Sequence, residues 1–261
     1  MAGVMMKKYQ IGLVPYLNAC PLGHGLDEKG LVQVRRVPPS RLAQMLENDS
    51  LDVALVPVVD YLAHPSRWEI SVPYGICSRG EVWTVKIFSP VPVEKIDTLF
   101  VDTDSHTSIN LARVLTHRIA GKIPELVAKD FSGVLPTTIS EPTLLIGDKT
   151  WRVKHAPFIY DLGKLWGEQF NLPFVYAVWA SKTHELADEI KEVLSQTAEL
   201  NLNRLNELGK LYGPGHGFSA EEACEYFQRI IHYRLGPEEQ AGMMCFKECL
   251  EALSSEIPCR G

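Results

Sequence analysis

The sequence predicts an α/β protein whose two lobes enclose a ligand cleft. Short apolar runs alternate with amphipathic helical stretches, a pattern typical of strands connected by helices in a layered sheet. Two such units follow each other, the second beginning near Pro90, and the chain turns helical after Glu185. Because clefts between lobes are preferred ligand sites, we expect functional residues at the strand ends that face this cleft.

The first unit is predicted to contain strand, helix and strand in an order that favours parallel pairing. Its strands correspond to three apolar runs: Tyr9–Val14, Val32–Val37 and Leu51–Pro57. Leu42, Met45 and Leu46 share one face of the helix that connects the last two.

The second unit repeats this alternation around a predicted helix, Thr107–Ile119. Its strands are predicted at Thr98–Val101, Leu126–Lys129 and Thr143–Ile146. The flanking runs Thr84–Ser89 and Phe174–Trp179 are predicted to cross between the lobes. Lobe 1 would then comprise residues 1–88 and 179–261, and lobe 2 residues 89–178.

Four helices are predicted to return the chain to lobe 1. They correspond to Glu185–Leu200, Leu202–Tyr212, Ser219–His232 and Pro237–Leu253. Ser219 and Glu222 have the spacing of a capping box, which marks the start of the third helix.

The composition excludes several classes of protein. Hydrophobic residues make up 46% of 261 positions and charged residues 22%, so the chain is neither disordered nor fibrous. A net charge of −6 argues against nucleic acid as a partner, since such binders usually carry a basic excess. Six scattered cysteines predict reduced thiols. We find no signal peptide and no window of about 18 apolar residues, so we expect a cytoplasmic protein without a membrane partner.

The segment Val14–Leu22 follows the first predicted strand, where open α/β sheets bind ligands. Asn18 carries an uncharged amide with two donors and an acceptor; it either contacts a ligand or closes a turn between two prolines. Tyr16 either hydrogen-bonds a ligand or walls the cleft. Cys20 and His24 could form a nucleophile and base, but no third group that would orient the histidine is visible.

The segment Asp102–Ser108 leads from a predicted strand into a helix. Hydroxyls and free N–H groups at a helix start favour an anion, helped by the helix dipole. Four hydroxyl residues exceed the need for one cap: Thr103, Ser105, Thr107 and Ser108. The alternative is a cap surrounded by solvated polar residues. His106 is interpreted as a surface or hydrogen-bonded histidine rather than a base, and the charge of Asp104 slightly weakens the local field for a carboxylate.

The segment Leu144–Asp148 ends a predicted strand with a Gly-Asp pair. Gly147 allows close approach of the backbone to a ligand. Asp148 either orients a ligand hydroxyl or caps the next helix. Thr84, at the first predicted crossing, is expected to face the same cleft.

In this order and at these separations, the segments Val14–Leu22, Asp102–Ser108 and Leu144–Asp148 resemble the chorismate dehydratases of the futalosine route to menaquinone. The resemblance implies a type II periplasmic-binding-protein fold that works as an enzyme inside the cell. It implies that water is eliminated from chorismate to give 3-[(1-carboxyvinyl)oxy]benzoate, without a metal or an organic cofactor.

The same resemblance implies the roles of particular residues. The family's key asparagine corresponds to Asn18, in the catalytic role, and Tyr16 precedes it in the substrate-binding segment. The family's small hydroxyl residue before the first crossing, commonly serine, corresponds to Thr84. The other substrate-binding positions correspond to Ser105, Thr107 and Ser108 at the helix start and to Gly147 and Asp148 in the Gly-Asp pair.

Two candidates remain for the base that takes the ring proton. Asn18 has no basic lone pair near neutral pH. We favour the substrate's own enolpyruvyl carboxylate, with Asn18 holding the geometry, over Asp148, because proximity within one molecule is effective.

Two other functions remain open. One is the sister enzyme of the same pathway, 1,4-dihydroxy-6-naphthoate synthase, which shares the fold; the other is a cytosolic binding protein for a small anion. The sequence Tyr16-Leu17-Asn18 favours the dehydratase.

Overall fold

A computed structural model of the chain describes residues 8–102, 105–131, 133 and 137–256. Its strands are β1 (Tyr9–Leu13), β2 (Val32–Arg36), β3 (Val53–Pro57), β4 (Trp68–Ser78), β5 (Val85–Ser89), β6 (Thr98–Asp102), β7 (Glu125–Lys129), β8 (Thr143–Ile146), β9 (Phe158–Asp161), β10 (Phe174–Lys182) and β11 (Ile231–Arg234). Its helices are α1 (Cys20–Gly23), α2 (Pro39–Glu47), α3 (Val58–Ala63), α4 (His106–Ala120), α5 (Leu162–Phe170), α6 (Asp188–Leu202), α7 (Leu205–Tyr212), α8 (Ala220–Glu225) and α9 (Pro237–Glu256). In these described ranges, no helix is both long and apolar enough to cross a membrane.

The first sheet has the strand order β11-β4-β10-β3-β1-β2. β1 pairs in parallel with β2 and β3, which confirms the pairing predicted from the order of the first elements. All five residues of β3 are buried and apolar, because helices and neighbouring strands cover both of its faces. β10 runs antiparallel between β3 and β4, so the sheet is mixed. We call this sheet, with α1–α3 and α6–α9, the first lobe.

The second sheet has the order β7-β6-β8-β5-β9 and, with α4 and α5, forms the second lobe. This arrangement corrects the predicted crossings. Val85–Ser89 is a strand of the second sheet, paired with β8 and β9, and Phe174–Lys182 belongs entirely to the first sheet. Apolar runs within sheets and apolar runs between lobes look alike in sequence, so the predicted boundaries at 88/89 and 178/179 fall inside or beside strands.

The C-terminal segment is helical as predicted, except at one point. The Ser219–Glu222 capping box is present, with the Ser219 hydroxyl accepting from the Glu222 N–H at 3.1 Å. The helix predicted to run to His232 instead ends in a wide turn at Tyr226–Ile230, and β11 follows. β11 then joins the edge of the first sheet beside β4.

Asp161 binds the segment that connects β4 of the first sheet to β5 of the second. Its carboxylate accepts hydrogen bonds from the backbone N–H groups of Val82 at 3.0 Å and Trp83 at 2.8 Å. It also caps α5 by accepting from the Lys164 N–H at 3.1 Å. Burial raises the pKa of Asp161, and the three N–H donors and the Lys86 charge partly offset that rise. One side chain therefore holds this connecting segment against the start of α5. Within the segment, Trp83 adopts a left-handed φ of 63°.

We expect Asp161→Ala to lower the free energy of unfolding by about 2–3 kcal/mol, because three N–H donors lose a charged acceptor. Asp161→Asn, which keeps one acceptor oxygen, should lose less. Asp97→Ala is the control, since the carboxylate of Asp97 forms an exposed ion pair with Lys122 and such pairs contribute at most about 1 kcal/mol. Urea denaturation measures all three. Equal losses for Asp161→Ala and Asp97→Ala would contradict this assignment.

Candidate functional site

A cavity lies between the two sheets and contains about 540 Å³, counting its open mouth. The first lobe contributes Tyr16, Asn18 and Tyr176 together with Val14, which follows β1, and apolar side chains of β3 and β4. The second lobe contributes the start of α4 and the end of β8. Among the described residues that line this cavity, none is Lys, Arg, Asp or Glu. The cavity therefore offers mainly neutral hydrogen-bonding groups within apolar walls.

Asn18 and the start of α4 line the same cavity, as the sequence predicted. Asn18 lies in a single 3₁₀ turn, Leu17–Ala19, directly after β1. Its Oδ1 atom is buried and has no hydrogen-bond partner within the described part of the chain. A buried acceptor without a partner costs about 1–3 kcal/mol, so it is a natural contact point for a donor on a ligand.

Tyr226 completes the surroundings of Asn18. Its hydroxyl lies 2.8 Å from Thr84 Oγ1, and both side chains are fully buried. Burial raises the pKa of Tyr226 strongly, while hydrogen bonds from Thr84 and Asn18 act in the opposite direction. The phenol is therefore neutral and contacts Thr84 and Asn18. Sequence reasoning missed Tyr226, because nothing local connects position 226 with the strand ends.

The three predicted hydroxyl residues have different roles at the start of α4. Ser105 is the N-cap, and its hydroxyl accepts from the Ser108 N–H at 3.2 Å. Thr107 donates to the Tyr176 carbonyl at 3.2 Å and so binds the first lobe. The Ser108 hydroxyl has no partner among the residues described here and lines the cavity. Capping therefore accounts for the hydroxyl of Ser105, and the contact between the lobes accounts for that of Thr107. Thr103 and Asp104 lie outside the described residues.

Behind the start of α4, Asp102 and Lys149 form a buried ion pair. Lys149 Nζ lies 3.0 and 2.9 Å from the two carboxylate oxygens of Asp102. The Asp102 side chain is 1% exposed and that of Lys149 12%. The pair joins the turn that follows β8 to the end of β6.

Gly147 approaches the ring of Tyr16 closely. Its φ is +60°, and a Cβ atom at this position would lie 2.8 Å from Tyr16 Cδ1. The backbone of Gly147 is expected from the sequence to approach a ligand closely; in the structure it approaches Tyr16 of the other lobe. Gly147 also lines the cavity. The ring of Tyr16 lines the cavity, and a hydrogen bond from its hydroxyl to a ligand stays a prediction.

The prediction that Asp148 faces the cleft needs correction. Asp148 Oδ1 accepts from the Leu17 N–H at 3.2 Å, and Oδ2 lies 2.6 Å from His216 Nδ1. Asp148 is absent from the cavity lining among the residues described. Its carboxylate instead supports, from the second lobe, the turn that carries Asn18.

His216 also approaches Cys20, with Nε2 3.8 Å from Sγ. The chain of contacts from Cys20 to His216 to Asp148 is similar to that of a thiol nucleophile, its base and the carboxylate that orients the base. However, burial and the charge of Asp148 raise the pKa of Cys20 to about 12, so the thiol remains protonated. His24, the histidine considered beside Cys20 from the sequence, instead has its Nδ1 2.8 Å from the Tyr212 hydroxyl.

The two sheets and the cleft between them define a protein with the periplasmic-binding-protein fold. The chain superposes on the periplasmic aliphatic sulphonate binding protein SsuA of Escherichia coli with a TM-score of 0.57 at 13% identity, covering 95% of this chain and 87% of SsuA. The CA3427 gene product of Candida albicans, described as having the generic periplasmic binding protein fold, gives a TM-score of 0.59 at 12% identity, with 98% and 92% covered. Protein AF1704 of Archaeoglobus fulgidus gives 0.75 at 15% identity, with 95% and 98% covered. These similarities confirm the predicted fold.

Sequence comparison then identifies the family. The menaquinone biosynthesis family matches residues 9–252, and the chain belongs to that family. A protein named chorismate dehydratase from Thermus thermophilus is 25% identical over 264 aligned residues, covering 94% of this chain and 96% of that protein.

We expect Lys149→Met to lower the free energy of unfolding by about 3–5 kcal/mol, because it leaves the Asp102 carboxylate buried without this cation. Lys122→Met is the matched control, since Lys122 pairs with the 88% exposed side chain of Asp97 and should contribute at most about 1 kcal/mol. Thermal or urea unfolding measures both. Adding Asp102→Asn to Lys149→Met should recover part of the loss; no recovery would show that the lysine stabilises the fold by some other contact.

Proposed function

We propose that this chain is a chorismate dehydratase, a carbon–oxygen lyase that acts in the cytoplasm on the futalosine route to menaquinone. The family and the Thermus thermophilus relative support the reaction. The observation that carries the proposal is the unpartnered Oδ1 of Asn18 in the same cavity as the start of α4.

Chorismate is a small dicarboxylate, and the start of α4 suits one of its carboxylates. The N–H groups of His106 and Thr107 are the first two of the helix and have no carbonyl one turn earlier within it. The Ser108 hydroxyl lines the same part of the cavity. Charge-assisted hydrogen bonds from these donors, with the helix dipole, stabilise an anion there.

Asn18 then contacts the reacting part of the substrate. Its Oδ1 is buried without a hydrogen-bond partner in the described part of the chain, so Oδ1 is the atom available to accept a hydrogen bond from the ring hydroxyl of chorismate. This contact orients the C–O bond that breaks relative to the neighbouring C–H bond. Orientation of this kind contributes much of the rate in reactions within one molecule.

The elimination needs a base, and the substrate's enolpyruvyl carboxylate remains our proposal. It takes the ring proton, the C–H electron pair forms the new ring double bond, and the neighbouring C–O bond breaks. The resulting carboxylic acid passes this proton to the leaving hydroxide, so water departs and the carboxylate is restored. Asp148 is a poor alternative, because Leu17 and His216 occupy both of its oxygens outside the cavity lining. The apolar walls restrict water at the reacting atoms.

Incubation of the pure protein with chorismate tests the reaction. We expect an aromatic product to appear in the ultraviolet spectrum, with its identity checked by mass. Tight binding of chorismate without an aromatic product would favour a binding protein with this fold. Absence of both binding and turnover would contradict the proposal and favour the sister enzyme, 1,4-dihydroxy-6-naphthoate synthase.

Variants at Asn18 and Asp148 separate the two candidate bases. We expect Asn18→Ala to lower kcat by about 100-fold, because the hydroxyl loses its orienting partner. Asn18→Asp keeps an acceptor but adds a charge that repels a dianion, so KM should rise. Asp148→Asn retains an acceptor for the Leu17 N–H and should cost less than about tenfold in kcat. Complete loss of turnover in Asp148→Asn, with chorismate still bound, would instead identify Asp148 as the base.

A further inference from the structure

We propose that His106 is the cationic side chain that binds one carboxylate of the substrate, and that Asp60 holds it in this role. The proposal rests on the function proposed above and adds a residue that determines specificity for an acidic substrate. It starts from the position of His106, which is the first residue of α4 and lines the cavity.

The imidazole of His106 is oriented by a carboxylate from the other lobe. Nδ1 lies 3.0 Å from each carboxylate oxygen of Asp60, which belongs to α3. A carboxylate only accepts hydrogen bonds, so Nδ1 carries a proton. Nε2 has no hydrogen-bond partner within the described residues, and the side chain is 40% exposed. A fixed ring with an unused Nε2 at a cavity wall is positioned to donate to a ligand.

His106 is also the described lining residue that can become positively charged. The other titratable side chains of the described lining are Tyr16 and Tyr176, and a phenol is uncharged at neutral pH. A dicarboxylate that enters this cavity loses the water molecules that solvate its charges. Backbone N–H groups and one serine hydroxyl stabilise an anion, but a cation adds attraction that does not depend on their exact orientation.

Asp60 is needed because the location itself disfavours a cation. A helix start carries partial positive charge, and burial also favours the neutral imidazole. The hydrogen bond to Asp60 outweighs burial and raises the pKa of His106, and the charge of Asp60 adds to the rise. The imidazolium therefore persists to higher pH than in an ordinary histidine.

Other charged and titratable groups lie around this pair. His64 hydrogen-bonds the Asp60 backbone carbonyl and lies 3.9 Å from Glu47, and the Asp102–Lys149 ion pair lies behind the start of α4. Asp60 faces the ring from α3, and β10 contributes the neutral Tyr176. On α4 itself, Arg113 hydrogen-bonds one turn back within the helix. At the other end of α4, Arg118 lies over the ring of Phe170, and Lys122, just after the helix, pairs with Asp97.

The pH dependence of chorismate binding follows from the sign of this shift. The charged form of a histidine with a raised pKa is present below that pKa and lost as pH rises through it. The carboxylates of the substrate stay ionised over this range. KM for chorismate should therefore rise with pH in the wild-type protein, while kcat changes little.

His106→Gln keeps a donor but removes the charge. We expect its KM to be raised about 10- to 100-fold at pH values where the wild-type histidine is charged, with kcat within about threefold and no dependence of KM on pH. In Asp60→Asn, the rise of KM should begin at lower pH than in the wild type. His64→Gln is the control, because His64 also contacts Asp60, through the backbone carbonyl at 2.8 Å, and lies outside the described cavity lining.

The outcomes separate the two proposals. Failure of the wild-type protein to convert chorismate refutes the proposed function, and this inference with it. Conversion by the wild type with an unchanged KM in His106→Gln refutes this inference alone. A fall in kcat with unchanged KM also refutes it, since that result would make His106 a proton donor rather than a carboxylate receptor. Urea unfolding of each variant confirms that it is folded.

Discussion

The carboxylate of Asp148 joins the two lobes at the turn that carries Asn18, and the geometry of the cleft depends on this contact. One oxygen binds the Leu17 N–H and the other binds His216, so a residue of the second lobe fixes two segments of the first. The half-buried location of the carboxylate shields these bonds from solvent screening more than a surface pair. Asn18 can therefore present an unpartnered acceptor without the turn rearranging to satisfy it.

The polar groups around the cavity are divided between those that hold the structure and those left for a ligand. Capping uses the Ser105 hydroxyl, packing uses that of Thr107, and Tyr226 engages Thr84. Asn18 Oδ1 and the Ser108 hydroxyl remain without such partners in the described part of the chain. A site that keeps some of its hydrogen-bonding groups unsatisfied is less stable alone and gains most when a complementary molecule enters.

The sequence predicts much of this arrangement, because strong apolar runs and strand ends are local signals. The early strands and α4 were found to within a few residues, and Asn18 does share a cavity with the start of α4. The predictions are wrong where contacts between residues far apart in the sequence determine the local structure. The sequence predicts the end of a helix where β11 lies, because the pairing of β11 with β4 joins positions about 150 residues apart. Likewise, no spacing in the sequence indicates that Asp148 would bind His216 rather than face the cleft.

The contact between Gly147 and Tyr16 has a consequence for the wall of the cavity. The aromatic ring occupies the space where any other amino acid would place its first side-chain carbon, and the positive φ adds strain for such a residue. Even a methyl group there would act as a wedge that pushes the ring outward. The absence of a side chain at Gly147 thus sets how closely the two lobes approach each other at this part of the cavity wall.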